Sequence, residues 1–266
     1  LVLLWADTLI IGHFKTATDV GIYNAAGPSA ALMYLFPQAL LSLFLPVLTG
    51  LYAKNKIEDF RNVYTVATKW VLLVNAVVLT FFILTSKQIL ILFFGPAYAS
   101  GSSVFIILSI GYFIYYLALI CTNILLIYER TKLIFIISSL GAGINLLLNI
   151  IFIQTWGILG SALATATAYI FMSILLFYYS HSLTKTRIFF TLRTFKLTLA
   201  AVLSGTLTYF ITHAVAFTGI LHFFFTGVLV SVLYFVFAFA FKIVEDHDFL
   251  FITELSKRTK INLHWL

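Results

Sequence analysis

Residues 103–127 read SVFIILSIGYFIYYLALICTNILLI, an uninterrupted apolar run without a charged residue. About 20 consecutive apolar residues suffice for a helix to cross the roughly 30 Å hydrocarbon core of a bilayer. Runs of similar length lie on both sides of this one, separated by short clusters of charge. A transmembrane barrel would instead show alternating segments of about 10 residues. The chain is therefore predicted to be an all-α, polytopic helical membrane protein.

The composition of the 266-residue chain excludes most other classes. Hydrophobic residues make up 62% and charged residues 9% of it, whereas soluble domains carry about 25% charged residues. The few Pro and Gly residues exclude a disordered or collagen-like chain. The net charge of +7 is attributed to basic cytoplasmic loops, so no nucleic-acid partner is predicted.

Eight membrane helices are predicted, the first of them truncated. Their approximate boundaries are 1–12, 21–50, 65–94, 103–127, 132–153, 157–180, 196–216 and 220–242. The first apolar stretch is too short to span a bilayer, and the chain shows neither an initiator Met nor a signal peptide. We therefore expect a fragment whose first helix is cut midway.

Basic residues alternate between the predicted loops. Of the 16 Lys and Arg residues, 14 lie in or beside the tail and the loops that follow helices two, four and six. Loops 95–102, 154–156 and 217–219 carry none. Because basic loops face the cytoplasm, we predict a multi-pass protein of the plasma or inner cell membrane with a cytoplasmic C-terminus.

Asp7 is the only acidic residue within a predicted span. A carboxylate at the centre of a membrane helix costs about 2.5–3.5 kcal/mol on insertion scales, so it should face a partner or a cavity. One interpretation is a cation or proton site, or a group that lines a polar pathway. The other is a position near the interface whose depth the truncation hides.

Predicted helix two combines three prolines with a polar stripe. The prolines are Pro28, Pro37 and Pro46. Each removes a backbone hydrogen bond and favours a kink, which suits a transporter helix as well as static packing. Gln38, Ser42 and Thr49 share one face of the helix. Such a stripe lines water or bonds to a neighbouring helix.

Asparagines lie in three further predicted spans. They are Asn75, Asn123, Asn145 and Asn149. Each one alone fits an interhelical hydrogen bond better than a substrate contact. Together with Asp7 and the stripe on helix two, they favour a hydrated central cavity. We therefore predict all eight side chains as candidates for a substrate or ion pathway.

The sequence carries no motif typical of catalysis, a metal site or a cofactor site. Phosphate-binding and hydrolase motifs are missing, and no two histidines are spaced as ligands on one helix face. Cys121 is the only cysteine, so neither a disulfide nor a cysteine metal site can form. We predict no catalytic residue, no metal site and no cofactor, and hence a protein that is not an enzyme.

Several short motifs occur in an order that resembles one known family. They are DTLIIGHF (7–14), VGIYNAA (20–26), FLPVL (44–48), LFFGPAYA (92–99), TKL (131–133) and GILGSALAT (157–165), with Asn145 and Asn149 between the last two. This series is similar to the second half of the polysaccharide flippases of the multidrug/oligosaccharidyl-lipid/polysaccharide exporter (MOP) superfamily. The resemblance covers residues 1–180 and continues loosely beyond them.

The resemblance implies a two-lobe transporter. Residues 1–180 would form the C-terminal six-helix lobe, 181–243 a cytoplasmic loop with two additional helices, and 244–266 a cytoplasmic tail. The implied function is to flip an oligosaccharide linked to a polyprenyl (pyro)phosphate from the cytoplasmic to the outer leaflet by alternating access. The implied partners are that glycolipid, membrane lipids and a missing N-terminal lobe of the same chain, in which phosphate recognition is expected.

Other functions remain open. Asp7 fits a proton- or sodium-coupled multidrug or metabolite antiporter of the same superfamily equally well. A membrane glycan polymerase or ligase would need a long outer loop, and no predicted outer loop exceeds about ten residues. A non-transporting scaffold would leave the polar stripes and the three-proline helix unexplained.

Overall fold

The computed structural model describes residues 2–186, 192–215 and 219–243. These residues form helices and short connections, without a strand among them. The helices are α1 (Val2–Phe14), α2 (Ala17–Ala31), α3 (Leu35–Ala53), α4 (Ile57–Phe94), α5 (Ser102–Ile127), α6 (Thr131–Thr184), α7 (Leu192–Ala214) and α8 (Gly219–Ala240). Two 3-10 turns, Leu32–Tyr34 and Pro96–Gly101, precede α3 and α5. The tail at 244–266 and most of the loop before α7 lie outside the described residues.

Six helical segments of the described chain are long and apolar enough to cross a membrane. They are Ala17–Ala53, Ile57–Phe94, Pro96–Ile127, Thr131–Thr184, Thr194–Ala214 and Gly219–Ala240. The prediction of an all-α membrane protein is confirmed. The predicted count of eight spans differs for two reasons. Helix α1 has only 13 residues, and α6 contains two predicted spans in one run of 54 residues.

Helix α6 is a hairpin of two antiparallel halves that reverses at Gly157. This residue has φ 59° and ψ −139°, a backbone conformation that suits glycine because it has no Cβ. A Cβ added at Gly160 would collide with the backbone of Phe152. Further along the hairpin, Asn145 hydrogen-bonds Thr165, although a straight helix would hold two residues this far apart at about 30 Å. The reversal agrees with the predicted break at 154–156.

The predicted helix at 21–50 is divided in the structure. It begins earlier, at Ala17, where Thr16 forms a capping box with Asp19, and it is interrupted by the turn at Leu32–Tyr34. The interruption has a physical cause, because Pro37 has no N–H to donate to the carbonyl of Met33. Pro28 and Pro46 lie inside α2 and α3.

Helix α5 is at the centre of the bundle, with α2, α3, α4 and α6 around it. In its apolar 18-residue stretch, 61% of the residues are buried, against 22–28% in the corresponding stretches of the other candidate spans. Gly111 lets α6 approach closely, since a Cβ there would lie 2.7 Å from the Cα of Ala166. Helices α7 and α8 pack against each other and against α4. This arrangement separates an α1–α2–α6 region from an α4–α7–α8 region.

Candidate functional site

Asp7 lies in α1 and is 3% exposed. Four side chains donate hydrogen bonds to its carboxylate. Tyr23 donates to Oδ2 at 2.6 Å, and Thr165 donates to the same oxygen at 2.6 Å. Asn145 donates to Oδ1 at 3.4 Å, and Asn149 also donates to Oδ1. The carboxylate is therefore saturated by donors from α2 and from both halves of α6.

The fold brings these donors together from distant parts of the sequence. Asn145 and Asn149 stand one turn apart on the first half of α6 and so face the same way. The reversal at Gly157 places Thr165, on the second half, 2.9 Å from the Nδ2 of Asn145. Helix α2 runs beside α1 and supplies Tyr23. We call these five residues, Asp7, Tyr23, Asn145, Asn149 and Thr165, the Asp7 cluster.

Among the described residues, no cationic side chain hydrogen-bonds the carboxylate of Asp7. All four donors are neutral side chains, and an unpaired charge buried in hydrocarbon is costly. Within the described residues, Oδ1 of Asn145 and Oδ1 of Asn149 have no hydrogen-bond partner. The cluster thus holds a carboxylate, two amide oxygens and two hydroxyls. Such a set of oxygens can bind a proton, on the carboxylate, or a small cation such as Na⁺.

A group of tyrosines lies next to the Asp7 cluster. Tyr112 and Tyr116 stack with ring centroids 5.4 Å apart and planes 4° apart. Tyr169 contacts Tyr112 and also Tyr115, at 5.4 and 4.5 Å. These rings form an aromatic wall along α5 and the second half of α6, the half that also carries Thr165.

This wall continues to the surface of α3. Tyr34 contacts Tyr116 at 5.5 Å and donates a hydrogen bond to Gln38 at 2.6 Å. Tyr34 is 38% exposed, and Gln38 is exposed as well. The aromatic chain thus links the neighbourhood of the buried carboxylate to an exposed polar residue.

The remaining candidates on α3 do not join the cluster. Ser42 and Thr49 are exposed, and their hydroxyls donate to the carbonyls of Ala39 and Leu45 in the same helix. The predicted stripe therefore exists as one exposed polar face, which lies apart from Asp7.

The other two candidate asparagines are also separate from the cluster. Asn123 donates to the carbonyl of Leu119 in its own helix at 3.0 Å. Asn75 is completely buried in α4, and neither its amide nitrogen nor its amide oxygen has a partner among the described residues. Neither residue contacts the carboxylate.

Sequence reasoning missed two members of the Asp7 cluster. Thr165 lies in the small-residue run that begins at Gly157, which reads as a packing face, and Tyr23 drew attention only as part of a family motif. A usable signal existed, because a buried carboxylate requires donors. A hairpin that turns near 154–156 also pairs Asn145 with a residue close to 165.

No metal site of the usual kind is present among the described residues. They contain no group of three or more His, Cys, Asp or Glu side chains close enough to hold a metal ion. Cys121 is buried and hydrogen-bonds Tyr64 at 3.2 Å. Any cation at the Asp7 cluster would therefore be held mainly by neutral oxygens.

Comparison with known proteins gives one family and several relatives. The model of the MatE family matches residues 1–151. The chain is 29% identical over 182 residues to the probable low-salt glycan biosynthesis flippase Agl15 of Haloferax volcanii, which covers 67% of this chain and 38% of that protein. It is 30% identical over 179 residues to the probable flippase AglR of the same organism, covering 64% and 36%. The chain thus spans little more than a third of these relatives.

One solved structure has the same fold. It is the lipid II flippase MurJ in an inward closed conformation, with a TM-score of 0.70 and 20% sequence identity. The similarity covers 90% of this chain and 50% of that one. At this level of identity the likeness extends to the fold alone.

Proposed function

The chain belongs to the MatE family, and from this premise we propose that it is part of a transporter that flips a lipid-linked glycan precursor. The glycan would be carried on a polyprenyl (pyro)phosphate and would move from the cytoplasmic to the outer leaflet by alternating access. Two relatives named as flippases support this choice of substrate. The observation that carries the proposal of active transport is the Asp7 cluster, a buried carboxylate on α1 held by donors from α2 and both halves of α6.

The Asp7 cluster would couple transport to a proton or a monovalent cation. A ligand shifts a conformational equilibrium only if it binds one state better than the other. The carboxylate comes from α1 and its donors come from α2 and both halves of α6, so any movement between these helices would change the number of oxygens around the carboxylate. Binding of a cation would thus favour the conformation in which all of them converge.

The domain organisation follows the same proposal. Residues 1–180 would form one lobe of the transporter and 181–243 the loop with two additional helices. Residues 244–266 would form a cytoplasmic tail. The second lobe would face the side of this one that carries the exposed stripe of Gln38, Ser42 and Thr49. These three polar residues would then line the pathway, and the phosphate would be recognised in the other lobe.

A proton- or sodium-coupled antiporter of small molecules is the second candidate. A buried carboxylate surrounded by neutral donors serves that function equally well, because the coupling ion is the same in both cases. A glycan polymerase or ligase has less support, since the relatives are named as flippases and the proposal requires no catalytic residue.

A flipping assay on the protein made from its complete gene tests the proposal. A fluorescent lipid-linked oligosaccharide is placed in liposomes that contain the protein, and a membrane-impermeant quencher reports how much of it reaches the other leaflet. We expect flipping that depends on the protein and is faster with an inward sodium or proton gradient. Failure to flip, together with gradient-driven efflux of small organic cations, would overturn the flippase in favour of the antiporter.

A further inference from the structure

A cleft of about 460 Å³ opens between the two ends of the α6 hairpin. Its lining comes from the connection after α5, the first turns of α6 and the last turns of α6. The lining residues are Glu129, Arg130, Lys132, Leu133, Ile136, Tyr179, Ser182 and Leu183. This volume lies within the roughly 300–1,000 Å³ typical of small-molecule sites. No residue of the Asp7 cluster or of α3 takes part in it.

The cleft lies at the level where the membrane ends. The candidate spans Pro96–Ile127 and Thr131–Thr184 both have an end within a few residues of it. The same end of the bundle carries Arg61, whose Nε donates to the carbonyl of Thr184 at 2.7 Å. Its charge pattern is that of the cytoplasmic side. A ligand in the cleft would therefore sit where lipid headgroups meet the hydrocarbon.

The lining combines charged residues, which we call the rim, with aliphatic residues, which we call the floor. Arg130 and Lys132 are exposed cations, and with one carboxylate, that of Glu129, they give the cleft a net positive charge. Leu133, Ile136 and Leu183 supply the aliphatic surface. Cations combined with aliphatic side chains in one cleft match a molecule that has an anionic head and a hydrocarbon tail.

Phosphate is the anion that this rim fits best. Arginine can hold a phosphate through two parallel N–H donors, while lysine acts as a compact positive charge. The hydroxyls of Ser182 and Tyr179 are further donors in the same lining. Phe135 adjoins Ile136 in the sequence and is 72% exposed, so a further apolar side chain is exposed on the same turn of α6.

We propose that this cleft binds the phosphate of an anionic membrane lipid, with the lipid tail along Leu133, Ile136 and Phe135. No candidate residue of the proposed transport pathway lines the cleft, so the proposal does not rest on the proposed function. The same chemistry occurs in a bilayer phospholipid and in a polyprenyl phosphate, and the experiment below separates the two.

Native mass spectrometry of the protein made from its complete gene measures the affinity for single lipids. The probes are phosphatidylglycerol, phosphatidylcholine and a polyprenyl phosphate. Arg130→Gln with Lys132→Gln should weaken phosphatidylglycerol binding about 30-fold, or about 2 kcal/mol, because each basic residue near a membrane surface contributes about 1 kcal/mol. Both side chains are exposed, so the variant should keep the wild-type unfolding temperature.

The matched control is Lys54→Gln with Lys56→Gln. It removes the same charge from the same end of the bundle, and neither residue lines the cleft. Its effect on phosphatidylglycerol should stay below about threefold. Glu129→Gln should act in the opposite direction and tighten binding about fivefold, because it removes the one anion of the cleft.

Equal weakening by the two double variants would overturn the proposal, because the attraction would then be general surface charge. Equal affinity for phosphatidylcholine and phosphatidylglycerol would overturn it as well. A preference for phosphatidylglycerol identifies the occupant as a bilayer lipid. A preference for the polyprenyl phosphate, lost with Arg130 and Lys132, supports the same cleft with a carrier lipid in it.

Discussion

Asn149 and Asn75 are both fully buried asparagines in helices of a membrane bundle, yet their surroundings differ. Asn149 donates to the carboxylate of Asp7, which Tyr23 and Thr165 also contact. Asn75 lies in α4, which packs against α7 and α8, and its two polar atoms have no partner among the described residues. One region assembles polar groups from several helices around a charge, and the other leaves a polar group isolated.

This difference distinguishes a candidate binding site, the Asp7 cluster, from a single buried polar residue, Asn75, that has no such role. Burying an unpaired amide costs about 1–3 kcal/mol, so the fold gains nothing from Asn75 itself. Burying a carboxylate costs more, and four converging donors are needed to offset it. If such a cluster only joined helices, the desolvation free energy of the carboxylate would bring no benefit. We therefore attribute a binding role to it. The substitutions below test this difference.

Asp7→Asn should have the largest effect on transport. The substitution keeps the shape of the side chain but removes the charge that attracts a cation or accepts a proton. The gradient-dependent part of glycolipid flipping should fall about 100-fold, as expected when a coupling free energy of up to about 3 kcal/mol is lost. Flipping in liposomes measures this. An unchanged dependence on the gradient would place the coupling ion elsewhere.

Thr165→Val should have an intermediate effect. Valine has the same shape but cannot donate to Asp7 or accept from Asn145. Loss of a hydrogen bond to a charged group should lower the free energy of unfolding by about 1.5 kcal/mol and weaken cation binding about tenfold. Denaturant unfolding in detergent and a sodium titration measure the two effects. Thr165→Ser retains the hydroxyl and should restore both, whereas a loss equal to that of valine would assign Thr165 to packing alone.

Asn75→Leu should have a small effect of the opposite sign. Because the amide has no partner in the described part of the chain, an apolar side chain should raise the free energy of unfolding by about 1 kcal/mol. Flipping should stay at the wild-type rate. Unfolding and flipping assays on the same preparation measure the free energy of unfolding and the flipping rate. A marked loss of transport would show that Asn75 binds a ligand after all and would remove the difference between the two regions.

Asn123→Leu should have the smallest effect. The side chain is only partly buried and bonds within its own helix, so the free energy of unfolding should change by less than about 0.5 kcal/mol. Chemical unfolding measured beside Asn75→Leu would show it. A change above about 1 kcal/mol would mean that Asn123 holds another helix in place.

Most of the fold could be predicted because hydrocarbon length and backbone geometry impose it. The apolar run at 103–127 corresponds to α5, and the charge cluster at 130–132 marks the start of α6. The predicted family resemblance is confirmed by the MatE match. The division of the helix at 21–50 was not predicted, because proline identifies a weak point but does not say whether the chain bends or changes to a 3-10 turn.

The candidate site was only partly visible in the sequence. Asp7, Asn145 and Asn149 stand out because polar side chains are rare in apolar helices. Thr165 does not, since a threonine in such a helix usually bonds to its own backbone, as Thr85 does. Its role depends on the register of the α6 hairpin, which the sequence determines only through the position of Gly157. Gln38, Ser42 and Thr49 stand out equally well but lie on another surface.

Cation-dependent stabilisation of the protein tests most directly whether the Asp7 cluster is a cation site. Unfolding temperatures are measured with increasing sodium, potassium or acidity for the wild type, Asp7→Asn and Asn75→Leu, at constant ionic strength. A specific ion that binds only the folded state should raise the unfolding temperature of the wild type and of Asn75→Leu, with no rise for Asp7→Asn. An equal rise in all three proteins would contradict the account and show that the buried carboxylate only joins helices.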